Sequence, residues 1–412
     1  MVKYSVSRAN SSITVCAATS GGMEIKMSAI ISEYIEKSQI ITPDDNYHYF
    51  FGYYDMRATI GDKPHLCHRV RFMDRLPDEN DVCEVGYLVD RKFIKIGETT
   101  AWNFQQGAML QYHPYLEDTV YYNVFEDGKF QTVTHNFATG EKKYADRATA
   151  CISPDGKWGL GVNFGRIFAF RPGYGYAGFV DEFADANAPH EDGVFLVDME
   201  NGTSRQINHY DDLAKISGFN ADDKVLVNHI TFNTTSDRFV MLVRNFPAPG
   251  KWWSTSMVIG DLEGNAHAVL LNTYVSHYFW VDGSHILAHC TVGTRKSSMF
   301  IIDVDSGEAV EYRLPYFSQV INGDIHCNLS PDGNFIIGDG YDFGGYRSLQ
   351  GYSMRTGVAR ELLKARTMPP VCTDVRCDLH AQFVWGGKYI SYDTTENGKR
   401  EIALIPTDIL DF

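Results

Sequence analysis

The 412-residue chain carries 24 Tyr, 25 Phe, 6 Trp and 36 Gly, without long runs of like charge. That balance favours many short strands and tight turns over a helical bundle. A formal charge of -15 excludes nucleic acid as the main partner, since phosphate binding needs a basic surface, but permits an anionic sugar in a local Arg pocket. The 8 cysteines are scattered singly with no CxxC pair, which suits free thiols in a reducing compartment. The opening residues lack a basic flank followed by an apolar run, so no ordinary signal peptide is expected. Cytoplasmic placement and a periplasmic or secreted form with its signal removed both stay open. No segment approaches the roughly 20 apolar residues of a membrane span, and no membrane partner is expected.

Residues 1–43 read as an N-terminal extension that caps or closes the fold, with Met23–Ile40 as a short amphipathic helix or an edge strand plus helix. From residue 44 a strand–turn–strand unit recurs. Its copies are His48–Phe72, Phe104–Phe125, Arg147–Arg166, Asn228–Arg244, Ser276–Cys290, Asp324–Tyr341 and Asp378–Thr394. Each has a polar turn, often with Gly, between apolar-aromatic strands. Outer strand pairs with Asn-Gly, Asp-Ser-Gly or Ala-Thr-Gly turns lie between them. Four strands per repeat predict an all-β fold, a seven-bladed β-propeller of four-stranded antiparallel sheets over 44–412. Glu401–Leu410 closes the ring with help from the N-terminal segment. Two long insertions, Arg171–Asp192 and Asn245–Ser254, interrupt the repeat, and long loops on a rigid scaffold are favoured places for binding residues.

Within the hairpins, His277 to Cys290, His326 to Asp339 and His380 to Asp393 are each 13 residues apart. That offset can set the start of one strand opposite the end of the next. His277, Cys290, His326 and Asp339 then form a four-ligand zinc set, with His380 and Asp393 part of it or supporting it. The competing reading is a hydrogen bond tying each hairpin, with Cys290 as a small core residue. Arg69 and Arg244 end second strands, Arg166 follows one, and each guanidinium suits a planar carboxylate or an inter-blade salt bridge. His229 is the candidate proton shuttle. Tyr54, Tyr174 and Tyr176 are candidate acids or binding platforms, and Trp252 and Trp253 could stack on sugar faces. The SPDG stretches at Ser153–Gly156 and Ser330–Gly333 read as turns, not as nucleophile pairs. No GxSxG, P-loop or dinucleotide fingerprint occurs.

The elements FFGYYD, WNFQQG, SPDG, RPGYGY and the late DLHxxF resemble those of β-propeller polyuronate lyases, the oligogalacturonate and ulvan lyases, over roughly residues 45–410. The resemblance implies β-elimination on a uronate glycan, with a His and a Tyr moving protons and an Arg against the C5 carboxylate. His229 looks like the catalytic His, and His277 and His326 look like two metal ligands. Arg244 or Arg166 would meet the carboxylate, and Tyr174 or Tyr54 would protonate the leaving oxygen. Gln106, Asn123 and Asn163 are further candidates for binding sugar or carboxylate; the competing reading of Gln105 and Gln106 is that they satisfy the channel backbone. Ile325-His326-Cys327 stands where the oligogalacturonate lyases carry a Gln/His cluster. That departure favours the ulvan type with a structural zinc, manganese or calcium being the alternatives. The expected partner is an anionic oligo- or polysaccharide; the other class is a non-catalytic propeller that binds glycan or protein.

Overall fold

The computed structural model describes residues 5–9, 12–18, 24–29, 38–247, 252–312, 324–342 and 344–412. Seven four-stranded antiparallel sheets succeed one another around a central channel, as the repeats require. Their innermost strands are His48–Phe50, Gln111–Tyr112, Thr149–Ile152, Val225–Phe232, Val275–Trp280, His326–Leu329 and Gln382–Val384, heading blades 1 to 7. Middle strands are buried on both faces between neighbouring blades. This explains why Arg238–Asn245 reads as a continuous apolar run, FVMLV, rather than as an alternating one. The SPDG turns are turns: Ser153 Oγ donates to Asp155 Oδ1 at 2.6 Å and accepts from Trp158 N at 3.0 Å. Ser330, Asp332 and Phe335 repeat the pattern.

The ring closes by mixing the chain's two ends. Blade 7 consists of Gln382–Val384, Tyr389–Thr394 and Glu401–Pro406, and its outermost strand is Gln39–Ile40, paired to Ala403 and Leu404. Upstream, Ser5–Ala9, Ser12–Ala18 and Glu24–Ala29 form a separate antiparallel meander. Of the ambiguous Met23–Ile40 stretch, Glu24–Ala29 and Gln39–Ile40 are strands; residues 30–37 lie outside the described residues. No helix among the described residues is long and apolar enough to cross a membrane.

Two departures from the simple repeat shape the channel. In blade 1 the inner strand ends at Phe50, opposite His68, and the pairing strand begins only at His65. The intervening Phe51–Pro64 runs through the ring instead of making a tight hairpin. Tyr54 Oη donates to the Tyr278 carbonyl of blade 5 at 2.8 Å, and Ala58 N donates to Gln382 Oε1 of blade 7 at 2.9 Å. Asn328 Nδ2 of blade 6 donates to the Tyr54 carbonyl at 3.0 Å. In blade 3 a short helix, α1 (Phe164–Phe170), follows the second strand, capped by the Asn163 side chain accepting from Arg166 N. A second, α2 (Tyr210–Ile216), leads into blade 4.

Arg400 is a fully buried tie at the closure. Its Nη2 lies 2.7 Å from Asp393 Oδ2, its Nη1 donates to the Phe104 carbonyl at 2.7 Å, and its guanidinium sits 4.5 Å over the Phe50 ring. Burial lifts the Asp393 pKa to about 6, against the pull of Arg400. Arg400→Met strands that carboxylate, and urea titration should show a loss of about 3–5 kcal/mol. Arg400→Met with Asp393→Asn should recover part of it. Equal loss in the double variant would mean packing, not charge, governs this tie.

Candidate functional site

At the end of the channel where the second strands finish, four histidines gather, three of them around Tyr53 and the fourth, His277, against Tyr54 and His326. Two stand at irregularities in their ladders. The register slips between Val227 and His229 in blade 4, and between Val275 and Tyr278 in blade 5, so His229 and His277 are turned by β-bulges. His326 opens the inner strand of blade 6 directly opposite Asp339, as the 13-residue spacing implies. His380 precedes the inner strand of blade 7 with a φ of 42°, a left-handed conformation that non-glycine residues seldom adopt. The Tyr53 ring centroid lies 5.0 Å from His229, 5.6 Å from His326 and 4.8 Å from His380. The His277 and His326 centroids are 4.1 Å apart.

Three of these imidazoles are held by Nδ1. His277 Nδ1 lies 2.7 Å from Asp324 Oδ1, His326 Nδ1 3.2 Å from Asp339 Oδ1, and His380 Nδ1 2.9 Å from the Gly52 carbonyl. An oxygen on Nδ1 fixes the tautomer with a lone pair on Nε2, the arrangement that orients metal-binding histidines. His326 Nε2 and His380 Nε2 are buried without a hydrogen-bond partner, while Asp378 Oδ2 lies 2.7 Å from Arg376 Nη2 and 3.7 Å from His380 Nε2. His326, Asp378 and His380 each offer a ligand atom within 4.8 Å of the others. Burial drives the His277 pKa down to about 4 and His380 well below its ordinary value, so both are neutral imidazoles near pH 7. Burial alone would raise the Asp378 pKa, but Arg347 and Arg376 outweigh it and hold the carboxylate well below its usual range. Two imidazole nitrogens and one carboxylate oxygen so placed can hold a divalent cation.

This cluster revises the ligand set read from spacing. Cys290 faces Val275 across the bulged hairpin and packs among apolar residues of blades 4 and 5, so it is a core residue. Asp339 orients His326 and also accepts from Leu379 N at 2.8 Å rather than facing the cluster. His380 belongs to the cluster, while Asp393 is claimed by Arg400. Without the thiolate, the softest reason for zinc is gone. Asp324 and Asp378 are carboxylates that the 13-residue spacing does not mark, although each stands two residues before a hairpin histidine.

The cationic side of the chamber centres on Arg244. Its Nη1 donates to Asn228 Oδ1 at 2.7 Å and its Nη2 to the Val275 carbonyl at 3.3 Å, while Nε is buried without a partner. No carboxylate lies within ion-pair distance of it among the described residues. Burial, helped by the neighbouring Arg171 guanidinium, lowers its pKa to about 10, so it stays charged near neutrality. Arg171 sits 4.5 Å over the Tyr174 ring and pairs with Asp374 at 3.3 Å. Tyr174 packs edge-on against Tyr53 at 5.9 Å. Burial, reinforced by Tyr174 and Tyr54, pushes the Tyr53 phenol well above its ordinary pKa. Trp253 approaches both Arg244 and Arg171, at 5.7 Å and 5.8 Å.

Other candidates are committed elsewhere. Tyr54 bonds the Tyr278 backbone through both its donor and acceptor roles. Arg166 is saturated: it pairs with Asp181 at 3.1 Å and donates to the carbonyls of Val225, Phe183, Ala186 and Asn187. It pins the 171–192 insertion and presents nothing to a ligand. Arg69 pairs with Glu84 at 2.6 Å. Asn123 holds the Thr149 carbonyl and the Tyr176 hydroxyl, and Asn163 bridges Asp181 and Asp192. Gln105 and Gln106 sit in a tight turn whose backbone N–H groups donate to Asn103 Oδ1. Gly107 closes that turn at a φ of 62°, where a Cβ would meet the His68 ring at 2.2 Å. On the far side of Phe51–Pro64 the channel widens into a cavity of about 620 Å³, lined by residues that include Asp55, His229, Asn328 and Gln382. His229 stands at the divide between the two spaces: its ring lies 5.0 Å from that of Tyr53, while its Nε2 lies 3.2 Å from Asp55 Oδ2 on the cavity side.

No family model and no curated protein sequence matches this chain. Solved structures do share its fold along nearly the whole length. An oligogalacturonate lyase in complex with manganese aligns at a TM-score of 0.62 and 14% identity, covering 99% of this chain and 98% of that one. An oligogalacturonate lyase from Vibrio parahaemolyticus aligns at 0.61 and 14%, covering 98% and 97%. The chain is thus a seven-bladed propeller structurally similar to oligogalacturonate lyase.

The cluster makes a direct prediction for calorimetry. After chelation and dialysis the protein should bind one Mn²⁺, and His326→Ala or His380→Ala should abolish that binding. Asp339→Asn, which loosens only the Nδ1 anchor of His326, should weaken it about 10–100-fold. Undiminished binding in His380→Ala would place the metal elsewhere.

Proposed function

We propose that this propeller is a lyase that cleaves a uronate-containing oligosaccharide by β-elimination, with galacturonate-type chains favoured over ulvan. The observation that carries the reading is Arg244, a buried guanidinium with an unclaimed Nε–H and no carboxylate partner among the described residues, beside neutral imidazoles and a protonated phenol. A planar carboxylate matches its donor fork. The preference for galacturonate rests on the loss of Cys290 as a ligand, which removes the case for a thiolate-held structural zinc, and on the likeness to oligogalacturonate lyases.

In this reading the C5 carboxylate of the substrate lies against Arg244, where charge that develops as the C5 proton leaves is stabilised by fixed donors. His229 takes the C5 proton on Nδ1, with the Asp55 carboxylate 3.2 Å from its Nε2 on the opposite side of the ring. The electron pair of the broken C–H bond becomes the C4–C5 double bond as the C4–O4 bond breaks. Tyr53, kept protonated by burial, delivers its proton to the departing O4. Transfer from His229 to Tyr53, whose ring centroids are 5.0 Å apart, then restores both groups. His326, Asp378 and His380 would hold a divalent cation, manganese by analogy with the similar lyase, and when bound it would supply a Lewis acid for the same carboxylate. A non-catalytic propeller would bind the same glycan and release it intact.

The test is a screen of polyuronates for the ultraviolet absorbance of a C4–C5 unsaturated product. Oligogalacturonate should give product, and Arg244→Gln should lower kcat/KM by about 10²–10³-fold. Tyr53→Phe and His229→Ala should each depress kcat more than they raise KM. Full activity in His229→Ala would move the base to another residue. No product from any polyuronate would reduce the protein to a binder.

A further inference from the structure

Trp252 is the most exposed tryptophan-sized surface on the rim of the cationic chamber, with 83% of its area open to solvent. Burying an aromatic side chain is favourable enough that such exposure asks for a reason. Its position is not arbitrary. Its ring packs edge-on against Trp253, with centroids 5.2 Å apart and planes at 74°. Trp253 is wedged against Phe170 at 5.3 Å and contacts the guanidinium groups of Arg244 and Arg171. The inner indole therefore walls the anion receptor, and the outer one offers an open face directly beside it. Phe170 ends α1 and Phe246 follows the second strand of blade 4, and these two rings meet at 5.1 Å. The pair of indoles thus stands on a packed aromatic base.

We infer that Trp252 is a stacking platform for the sugar next to the one whose carboxylate Arg244 holds, so that the site reads at least two consecutive pyranose rings. The inference rests on the proposed function. A pyranose presents an axial C–H face that complements an indole surface, and the ring oxygens and hydroxyls stay in water at the rim. A protein of charge -15 repels a polyanion outside its guanidinium pocket, so an uncharged contact is the suitable one for a neighbouring residue. The platform adds affinity for longer chains and leaves the chemistry at the anchored sugar unchanged.

The experiment is a fluorescence and calorimetric titration of the full chain with galacturonate and with tetragalacturonate, in wild type and in Trp252→Ala. Wild type should bind the tetramer more tightly than the monomer, with quenching of tryptophan emission. Trp252→Ala should weaken the tetramer about 5–20-fold, lose most of the quenching, and change monomer binding less than twofold, the scale of one aromatic contact. Equal effects on monomer and tetramer, or no effect on either, would overturn the platform while leaving the uronate site standing. Failure of wild type to bind either sugar would overturn the proposed function and the platform with it. An unchanged melting temperature in Trp252→Ala separates these outcomes from misfolding.

Discussion

The hydrogen bond from the Tyr54 hydroxyl to the Tyr278 carbonyl is what turns an open ring into a site. A seven-sheet propeller leaves a channel on its axis, and unfilled apolar walls there would forfeit packing. Phe51–Pro64 fills it, bonded to blade 5 through Tyr54, to blade 6 through Asn328 and to blade 7 through Gln382 and His380. Each bond crosses more than two hundred residues of sequence, so the segment cross-links first and last blades as it plugs the axis. The same plug carries Tyr53 into the imidazole ring and divides the chamber from the wider cavity at the other mouth. Stability and site geometry therefore share one piece of backbone, and the left-handed φ of His380 is held by its bond to that piece.

Within this frame the imidazoles are ordered from behind. Asp324 accepts from Tyr274 and Ser276 and faces His277 and His289, and Asp339 faces His326 while accepting from Leu379 N. These acceptors lie outside the ligand atoms they orient, and they leave Nε2 as the group presented inward. Arg347 and Arg376 do the converse for Asp378, keeping it ionised in a setting where burial alone would protonate it. Nitrogen lone pairs and a carboxylate are thus available at one point near neutral pH, by opposite electrostatic devices.

The blade count, the hairpins and the facing of His326 by Asp339 could be read from residue spacing because those strands pair without irregularity. The same spacing failed for His277 and Cys290, since the bulge between Val275 and Tyr278 shifts the register and leaves Cys290 in the core. Arg166 follows its strand, as its place in the repeat implies, but α1 turns the guanidinium toward Asp181 and a row of carbonyls. Tyr53 and Tyr54 are adjacent and chemically identical, and only the path of the plug decides which hydroxyl is spent on backbone. Asp324 and Asp378 open the sixth and seventh repeat units, two residues before His326 and His380, but only the assembled ring shows which groups they face. Bulges, a seven-residue helix and a threaded loop leave no periodic trace, so the fold was legible and half of the constellation was not.

Charge compensation leaves one cation of the chamber, Arg244, without a counter-ion among the described residues. Asp378 is shared by Arg347 and Arg376, Asp374 answers Arg171, and Asp339 is engaged by His326 and a backbone N–H. Arg244 alone among these guanidinium groups keeps its charge with only neutral acceptors, although burial lowers its pKa to about 10. A buried cation without a counter-ion is costly, and truncating it would cost the fold less than truncating Arg400, whose partner would be stranded. Such a group is tolerated where an incoming anion completes it. The net charge of -15 disfavours a polyanion at the general surface, an effect that acts over a Debye length of about 8–10 Å. In the proposed function, selectivity would come from the few ångströms around Arg244, where a carboxylate would meet a donor fork already in place.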